Sequence, residues 1–385
     1  MRILIIHNKY LQYGGEDAVV AAESNLLRRH GVDVREYERD NRDIADLSSL
    51  RVAADTIWSR RSSREVGALL DLLRVDVVHC HNTFPLISPS VYRAAADRGI
   101  PVVQSLHNFR LMCPQAFLLR NDKPCEDCLG KLPWRSVMHR CYRGSAAQSA
   151  VLLAMVGVNR ALGTYEKPVT RYVALNEFCR KKFIQAGLPA ERIVVKPNFV
   201  DLPQVRLDSP RNGALFVGRL SREKGVHAIA DAFRTLRSTH AALDAIGNGP
   251  DAAVLSGIRG VHLHGPKPSV EVYAAMSRAA YLLMPSIWYE NFPRVLVEAF
   301  ACGLPVITSR LGAMAELVQD GHTGLLVKPG DAADLADKIG WAQTHPAEMR
   351  DMGLAARRHY ENNYTGEVNF SRLSAIYRDA IMEVS

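Results

Sequence analysis

The sequence predicts an α/β protein of two doubly wound domains, each a parallel β-sheet with helices on both faces. Apolar, strand-like runs alternate with helical patterns along the whole chain, and the series restarts near residue 213. A chain of 385 residues also exceeds one ordinary domain and suits two of somewhat under about 200 residues. Because ligands bind at the carboxyl ends of the strands in such sheets, we expect the site in the cleft between two facing domains.

The predicted domain limits follow the restart of the strand series. The first domain takes residues 1–200, a polar linker with prolines takes 201–212, and the second domain takes 213–365. Residues 366–385 predict a C-terminal helix that packs back on the first domain. The strands predicted for the first domain are Ile3–Ile6, Val32–Tyr37, Val75–Cys80, Pro101–Leu106, Arg171–Leu175 and Ile193–Val195. Those predicted for the second are Ala214–Val217, Ala242–Ile246, Val261–Leu263, Tyr281–Met284, Pro305–Thr308 and Gly324–Val327.

The composition predicts a globular protein without a signal peptide or a membrane-spanning helix. Apolar residues make up 48% of the chain and charged residues 23%, which is ordinary for a globular protein. The opening residues 1–8 predict a first strand and not a signal peptide. The longest apolar run, residues 149–158, is too short to predict a membrane-spanning helix. Seven cysteines without an export signal indicate a reducing, cytoplasmic compartment.

The net charge of +8 is concentrated in the first half of the chain. Residues 1–200 hold 29 Lys and Arg against 20 Asp and Glu, whereas residues 201–385 hold 19 against 20. A basic half beside a neutral half predicts a large anionic partner, either nucleic acid or an anionic membrane surface. An ordinary solubilising surface remains an alternative because the excess is modest.

Two segments of the second domain suit a sugar joined to a nucleotide diphosphate. The first, residues 216–225, places Arg219 and Lys224 between a strand and a helix that starts near Val226. A diphosphate binds well at a helix N-terminus, where Arg holds phosphate oxygens as a fork and Lys adds a point charge. The glycine-rich turn at 247–250 is interpreted as structural.

The second segment is a pair of carboxylates. Glu290 and Glu298 lie eight residues apart around Pro293, which suits the start of a helix. Such a loop can accept hydrogen bonds from hydroxyl groups beside an anion. The chain has no Asp-x-Asp to hold a divalent ion, so Arg219 and Lys224 are expected to neutralise the diphosphate without a catalytic metal.

Together these motifs resemble family 4 of the glycosyltransferases, retaining enzymes with the two-domain GT-B fold. In the second half the matching residues are Gly218-Arg219-Leu220, Lys224-Gly225, Glu290 with Phe292 and Glu298-Ala299, and Gly321-His322-Thr323-Gly324-Leu325-Leu326-Val327. In the first half they are Gly14-Gly15-Glu16, the run from Asp76 to Asn82, His107 and Pro197-Asn198. The resemblance covers nearly the whole chain.

The resemblance implies how a donor would be held. Arg219 and Lys224 would neutralise the diphosphate as it departs, Glu298 would hydrogen-bond the ribose, and Glu290 would contact a hydroxyl of the transferred sugar. The donor would be a UDP- or GDP-sugar. The acceptor would be a glycan or a lipid-linked sugar, as in the synthesis of cell-surface polysaccharide or glycolipid.

Other roles also rest on the resemblance. Backbone amides around Asn291 and Phe292 would help to hold the sugar, and His107 would reach it from the first domain. Gly14 and Gly15 would let the first loop approach the phosphates and the acceptor. His81 is interpreted as lining the acceptor site.

Two residues depart from the family pattern, and one histidine is interpreted as structural. Pro293 stands where many members have Gly, and it offers no N–H to a sugar oxygen, which bears on the choice of donor sugar. Arg294 occupies a position that is usually small, apolar or an amide, and we expect it to contact phosphate or acceptor. His79 is interpreted as a packed core residue.

A long insert at about residues 110–145 contains Cys113, Cys125, Cys128 and Cys141. Two of them form a Cys-x2-Cys pair, and four thiols in a cytoplasmic protein can hold a structural zinc that stiffens a loop. A full zinc signature would have two such pairs, so ordinary thiols, an internal disulfide and an iron–sulfur cluster remain alternatives. No cofactor is expected for catalysis.

Residues 131–143 and the apolar run to Arg160 combine basic and apolar character, which predicts contact with an anionic membrane surface at its cytoplasmic side. A buried helix with a solvated end is the alternative.

Two rival functions are a nucleotide-sugar epimerase of similar architecture and a non-catalytic nucleic-acid-binding protein. Nucleic acid is not expected as a partner, because the basic half has no interleaved aromatic residues.

Overall fold

The computed structural model describes residues 1–202, 211–236 and 241–384, so most of the predicted linker 201–212 lies outside the described residues. The chain forms two compact units. The first unit contains Met1–Leu118, Glu126–Asn198 and Asn369–Ser385, and the second contains Leu119–Cys125 and Phe199–Val368. Residues 119–125, which lie inside the predicted cysteine insert, therefore belong to the second unit.

The first 198 residues contain eight strands and seven α-helices among the described residues. The strands are β1 (Arg2–Lys9), β2 (Asp33–Asp40), β3 (Val77–Cys80), β4 (Val102–Ser105), β5 (Leu119–Arg120), β6 (Lys123–Pro124), β7 (Arg171–Ala174) and β8 (Ile193–Val195). The helices are α1 (Gly15–Arg29), α2 (Ser49–Trp58), α3 (Arg60–Leu73), α4 (Ser90–Ala96), α5 (Arg135–Met138), α6 (Ala146–Ala161) and α7 (Glu177–Gln185). The sheet of the first unit is parallel, in the order β2-β1-β3-β4-β7-β8, and β5 and β6 form a separate hairpin.

The remaining described residues repeat the same architecture. The strands are β9 (Ala214–Val217), β10 (Leu243–Ile246), β11 (Val261–Gly265), β12 (Tyr281–Met284), β13 (Val306–Ser309) and β14 (Gly324–Val327). The helices are α8 (Val226–Thr235), α9 (Ala252–Leu255), α10 (Ser269–Arg278), α11 (Arg294–Ala301), α12 (Gly312–Leu317), α13 (Ala332–Thr344), α14 (Pro346–Asn363) and α15 (Gly366–Val384). The second sheet is parallel, in the order β11-β10-β9-β12-β13-β14.

The predicted fold class is confirmed, and each of the twelve predicted strands is present. In both sheets the strand order reverses beside the first strand, as in doubly wound folds. Parallel pairing places the carboxyl ends of β9, β10 and β12 at one edge of the second sheet. The loops that follow these three strands hold the predicted donor-binding residues.

The C-terminal helix α15 supplies part of the core of the first unit. Its residues Leu373, Ile376, Tyr377 and Ala380 are buried in one cluster with residues of β1, β3, β4 and β7. This apolar face explains why residues 369–384 belong to the first unit although the chain enters α15 from the second.

The helix α15 also makes a buried polar contact with the sheet. The hydroxyl of Tyr377 lies 2.7 Å from Nδ1 of His79, whose Nε2 lies 2.9 Å from the hydroxyl of Ser105. Both ring nitrogens of His79 are therefore occupied, in agreement with its predicted core role. Burial lowers the pKa of His79 from 6.5 to about 4, because the low-dielectric interior disfavours the charged imidazolium.

This buried histidine predicts how the stability of the first unit depends on pH. Between pH 6.5 and about 4 the unfolded chain takes up a proton on His79 that the folded protein does not, so stability falls as pH falls. We expect His79 to lower the free energy of unfolding by roughly 3 kcal/mol over this range. Hydrogen-exchange protection of the β3 and β4 amides measures this change. Replacing the exposed His262 with Gln should leave the dependence unchanged, and protection that stays constant down to pH 4 would contradict the prediction.

Candidate active site

Backbone hydrogen bonds join the loops that follow β9, β10 and β12. The amide of Leu220 donates to the carbonyl of Asn248 at 2.9 Å, and the carbonyl of Leu220 accepts from the amide of Asp251 at 2.9 Å. The amide of Ile287 donates to the carbonyl of Glu223 at 2.9 Å. These main-chain hydrogen bonds fix the positions of the three loops relative to one another.

Glycine is required where these loops touch. A Cβ on Gly225 would lie 2.0 Å from the carbonyl oxygen of Pro285, and one on Gly247 would lie 1.9 Å from that of Gly218. Gly225 also has a φ of +81°, which favours glycine. The Gly247 turn is therefore structural, as the sequence predicts, and its contact positions the loop that carries Arg219 and Lys224.

The contact between the first and third of these loops brings Lys224 to Glu290. Nζ of Lys224 lies 2.7 Å from Oε1 of Glu290, which also accepts from the hydroxyl of Ser286 at 2.8 Å and from Nε1 of Trp288 at 3.0 Å. Glu290 is buried, whereas the Lys224 side chain is 27% exposed and its ammonium lies 5.2 Å from the centre of the Trp288 ring. The carboxylate is thus fixed by three donors, and the ammonium keeps an open side.

Arg219 lies in the same loop, and its side chain is exposed. Its guanidinium has no hydrogen-bond or ion-pair partner within residues 1–202, 211–236 and 241–384. The neighbouring Arg222 instead pairs with Asp122 of the β5–β6 hairpin at 2.9 Å. A guanidinium without such a partner, in the same loop as the Lys224 ammonium, suits a ligand with more than one negative charge.

Glu298 has a different environment from Glu290. It lies within α11, where its Oε1 accepts from Nε of Arg294 at 2.9 Å and from the hydroxyl of Tyr273 at 3.5 Å. Burial raises the pKa of the Glu298 carboxyl above its usual value, and the Arg294 guanidinium offsets part of this rise. Arg294, expected to contact phosphate or acceptor, is thus engaged with Glu298.

The start of α11 determines where the remaining predicted residues lie. Pro293 is the residue before the helix, with a φ of −75°, and Asn291 and Phe292 precede it in the loop. The Phe292 ring packs edge-on against Tyr364, with their centres 6.3 Å apart. Phe292 is therefore partly a core residue, and the backbone near it is fixed by this packing.

In the first unit, Gly14 and Gly15 lie at the N-terminus of α1. Gly14 precedes the helix, and its amide donates to Oδ2 of Asp17 at 2.9 Å. A Cβ on Gly15 would meet no atom within 4 Å, and Gly14 has an ordinary φ of −127°. Neither the backbone nor packing within the described residues requires glycine here, which is the pattern expected where a ligand needs the space.

His81 and His107 lie at the ends of adjacent strands and contact each other. Nδ1 of His81 is 2.8 Å from Nε2 of His107, and the two rings stack with 12° between their planes. His81 is buried and His107 is partly exposed. Burial lowers the pKa of both histidines, so both are neutral near pH 7.

One group of potential metal ligands occurs in the part of the chain that the structure describes, namely Glu23, His79 and His81. The cysteines of the insert are partly buried, and Cys125 belongs to the second unit while Cys113, Cys128 and Cys141 belong to the first. Structural zinc at these cysteines stays a prediction. Metal analysis of the purified protein tests it, and a zinc content near zero with all four thiols open to alkylation would remove it.

Comparison with known families agrees with this arrangement. A model described as "Glycosyl transferase 4-like domain" matches residues 12–198, and one described as "Glycosyl transferases group 1" matches residues 200–359. The chain belongs to family 4 of the glycosyltransferases. The predicted family is therefore confirmed, together with its GT-B fold.

Individual relatives are distant. A D-inositol 3-phosphate glycosyltransferase of Arthrobacter sp. is 34% identical over 157 residues, which are 38% of this chain and 37% of that protein. A second such enzyme, from Catenulispora acidiphila, is 29% identical over 80% of this chain and 72% of its own length. Anabaena HepE in complex with UDP-glucose has a similar structure, with a TM-score of 0.64 and 18% identity over 98% of this chain and 99% of that one. The chain thus spans well under half of the first relative.

The structure brings predicted residues together within each unit. Lys224 meets Glu290 in the second unit, and His81 meets His107 in the first. Sequence reasoning missed Ser286 and Trp288, although both lie within four residues of Glu290 and carry donors. It also missed Glu23, which lies near His81, and Lys196, which pairs with Glu23, because no local sequence pattern marks either residue.

The glycine contacts predict a large effect of one added methyl group. In Gly225→Ala the new Cβ would clash with the Pro285 carbonyl, and the alanine backbone would be strained at a positive φ. We therefore expect the free energy of unfolding to fall by about 2–4 kcal/mol. Urea unfolding of the second unit measures this. Gly257→Ala is a matched control, because its φ is +74° and no atom lies within 4 Å, and it should cost only about 1 kcal/mol. Equal losses in the two variants would refute the clash.

Proposed function

We propose that the protein is a retaining glycosyltransferase that moves a sugar from a nucleoside-diphosphate sugar to a glycan or lipid-linked acceptor. The observation that carries the proposal is the Lys224–Glu290 pair, with Arg219 exposed in the same loop as Lys224 and without a side-chain partner among the described residues. Two cations at one loop suit a diphosphate, and a buried carboxylate fixed beside them suits a sugar hydroxyl. Glu298, with its Arg294 partner, is assigned to the ribose.

The reaction breaks the bond between the anomeric carbon and the diphosphate oxygen and forms one to an acceptor oxygen. The diphosphate takes up the bonding electrons as it departs, and its oxygen accepts the proton that the acceptor hydroxyl gives up. The transition state resembles an oxocarbenium ion beside a departing diphosphate, so stabilising the leaving group dominates the rate. Arg219 and Lys224 supply this stabilisation, and we propose that no catalytic metal is needed.

The environments of both carboxylates favour retention without a covalent sugar intermediate on either of them. Oε1 of Glu290 already accepts three hydrogen bonds, and Oε1 of Glu298 is bonded to Arg294. Such contacts weaken Oε1 as a nucleophile and leave the other carboxylate oxygen, Oε2, to accept a hydrogen bond from a ligand. Glu290 is therefore assigned to a hydroxyl of the transferred sugar, and the amides near Asn291 and Phe292 to the same sugar.

Several comparisons support a nucleotide-sugar donor. HepE binds UDP-glucose, and the relatives include inositol-phosphate glycosyltransferases and glycogen synthases. We propose a UDP- or GDP-sugar as donor, with synthesis of cell-surface polysaccharide or glycolipid as the setting. The space at Gly14 and Gly15 is assigned to the donor phosphates and acceptor, and His81 to the lining of the acceptor site.

The assignment of Arg219 predicts a large kinetic effect. Arg219→Ala should lower kcat by about 10²–10³ at saturating donor, because one preorganised partner of the developing diphosphate charge is lost. Release of nucleoside diphosphate during a screen of donor sugars measures the rate. Arg259→Ala, which removes another exposed Arg of the second unit, should leave kcat within about twofold.

Three outcomes would count against the proposed function. Near-normal kcat in Arg219→Ala would remove the leaving-group role. Conversion of the donor to a second nucleotide sugar, without transfer to an acceptor, would favour an epimerase. Thermal stabilisation by an oligonucleotide and not by UDP or GDP would favour a nucleic-acid-binding protein.

We also propose that the first unit binds an anionic membrane surface through α5 and the residues before it. Among the described residues no helix combines the length and apolar character that crossing a bilayer needs. Leu132, Trp134 and Met138 are nevertheless 51%, 51% and 67% exposed, next to exposed Lys131 and Arg135. Exposed apolar side chains interleaved with cations are typical of interfacial segments.

This surface predicts a loss of lipid binding when its apolar side chains are removed. The triple variant Leu132→Ser/Trp134→Ser/Met138→Ser should reduce binding to phosphatidylglycerol-containing vesicles at least about tenfold, because each side chain contributes on the order of 1 kcal/mol. Co-sedimentation at low salt measures this. Leu50→Ser/Leu72→Ser is the control, since both leucines are highly exposed elsewhere in the first unit. Absence of binding by the unmodified protein would refute the surface.

A further inference from the structure

A chain of four buried or half-buried polar side chains runs through the first unit behind His107. Nζ of Lys196 lies 2.5 Å from Oε1 of Glu23, and both side chains are 1% exposed. Oε2 of Glu23 lies 3.7 Å from Nε2 of His81. Nδ1 of His81 lies 2.8 Å from Nε2 of His107. The chain therefore connects a buried ion pair with a residue assigned to the donor sugar.

The ion pair fixes the charge at one end of this chain. Burial is the largest influence on the pKa of Glu23 and would raise it, but Lys196 together with His79 and His107 outweighs burial, so the pKa of Glu23 lies below its usual value. Lys196 is held further by the side-chain oxygen of Asn369, at 3.2 Å, in the C-terminal helix. Glu23 is therefore an anion near pH 7, and its Oε2 faces His81 without a hydrogen-bond partner among the described residues.

A metal ion is a poorer explanation of this cluster. Glu23, His79 and His81 have the ligand types for a metal, but the Lys196 ammonium already neutralises Glu23 and would repel a cation. Both nitrogens of His79 are also occupied, by Tyr377 and Ser105. The geometry instead suits an electrostatic contact between Glu23 and His81, followed by a hydrogen bond between His81 and His107.

The anion at Glu23 determines which nitrogen of each histidine carries its proton. A neutral imidazole has one N–H and one lone pair. With its N–H on Nε2, His81 directs a donor to the Glu23 anion and offers the lone pair of Nδ1 to His107. The opposite tautomer would turn the Nε2 lone pair towards the buried anion, which is electrostatically unfavourable in a low-dielectric interior.

The same rule then applies to His107. Because Nδ1 of His81 accepts, Nε2 of His107 must carry the proton and donate. Nδ1 of His107 is left with a lone pair, has no partner in the described part of the chain and is not among the fully buried polar atoms. It is therefore available to a ligand as a hydrogen-bond acceptor.

We propose that Glu23, held by Lys196, is a positioning residue that fixes the tautomers of His81 and His107, so that His107 accepts a hydrogen bond from a hydroxyl of the transferred sugar. The tautomers rest on contacts within the first unit. The identification of the ligand hydroxyl rests on the proposed function. Glu23 and Lys196 act through the histidines and do not touch the sugar.

The variant Glu23→Gln tests the proposal by replacing one carboxylate oxygen with an NH₂ group. Lys196 needs an oxygen acceptor, so the amide oxygen should face Lys196 and the amide NH₂ should face His81. His81 must then accept at Nε2 and donate from Nδ1, and His107 must accept at Nε2 and carry its proton on Nδ1. Both tautomers reverse. Asp17→Asn is a matched control, because Asp17 is also in α1 and contacts a different histidine, His7, at 2.8 Å.

Histidine ¹⁵N NMR near pH 7.5 reads the tautomers directly, with His81→Asn and His107→Asn to assign the signals. We expect Nε2–H at both histidines in the unmodified protein and in Asp17→Asn, and Nδ1–H at both in Glu23→Gln. Donor-sugar kcat/KM should fall about 10- to 100-fold in Glu23→Gln, because the sugar hydroxyl can no longer donate to His107 and must turn to accept from its Nδ1–H. The affinity for the free nucleoside diphosphate should stay within about twofold.

Several outcomes would overturn the proposal. They are an Nδ1–H or charged His107 in the unmodified protein, unchanged tautomers in a folded Glu23→Gln variant, and stoichiometric zinc that is lost with Glu23. The first uses the unmodified protein, so it decides the matter even if Glu23→Gln fails to fold. Reversed tautomers in a protein that turns over no nucleotide sugar would refute the proposed function and leave the tautomer chain intact.

Discussion

The geometry of the second unit depends on main-chain contacts that have no room for a side chain. Gly225 meets the Pro285 carbonyl and Gly247 meets the Gly218 carbonyl. These contacts join loops from different strands, and the side chains of Lys224 and Glu290 then pair across them. A buried carboxylate is stable only with a nearby positive charge or several donors, and Glu290 has both. The backbone contacts therefore set the positions from which the side chains of the site pair.

The first unit supports its histidines by a different means, a buried polar network closed by the C-terminal helix. Asn369 holds Lys196, which follows β8, and Tyr377 holds His79 in β3, so two residues near the end of the chain complete contacts with the sheet. Apolar packing of Leu373 against the sheet brings these groups into place. Each buried polar group costs free energy unless it is paired, which makes the network sensitive to single changes.

Much of the fold was predictable from the sequence because its signals are local. Apolar runs of four to eight residues predict strands wherever they occur, and the twelve expected strands are present. The motif around Arg219 and Lys224 and the Glu290–Glu298 pair were also legible, because their residues lie close together in the chain. The network of Glu23 and Lys196 was not, since 173 residues separate these two side chains and neither lies in a pattern of its own.

The sequence by itself determined the two doubly wound sheets, the family and the residue types offered to a ligand. Tertiary structure alone decided which of those residues are already engaged. Lys224 is paired and Arg219 is not, and Arg294 holds Glu298, because packing of separate loops and helix turns sets which charges meet. It also decided that His107 is backed by a buried anion through His81. Electrostatic pairing depends on distances in space, and a linear pattern does not contain them.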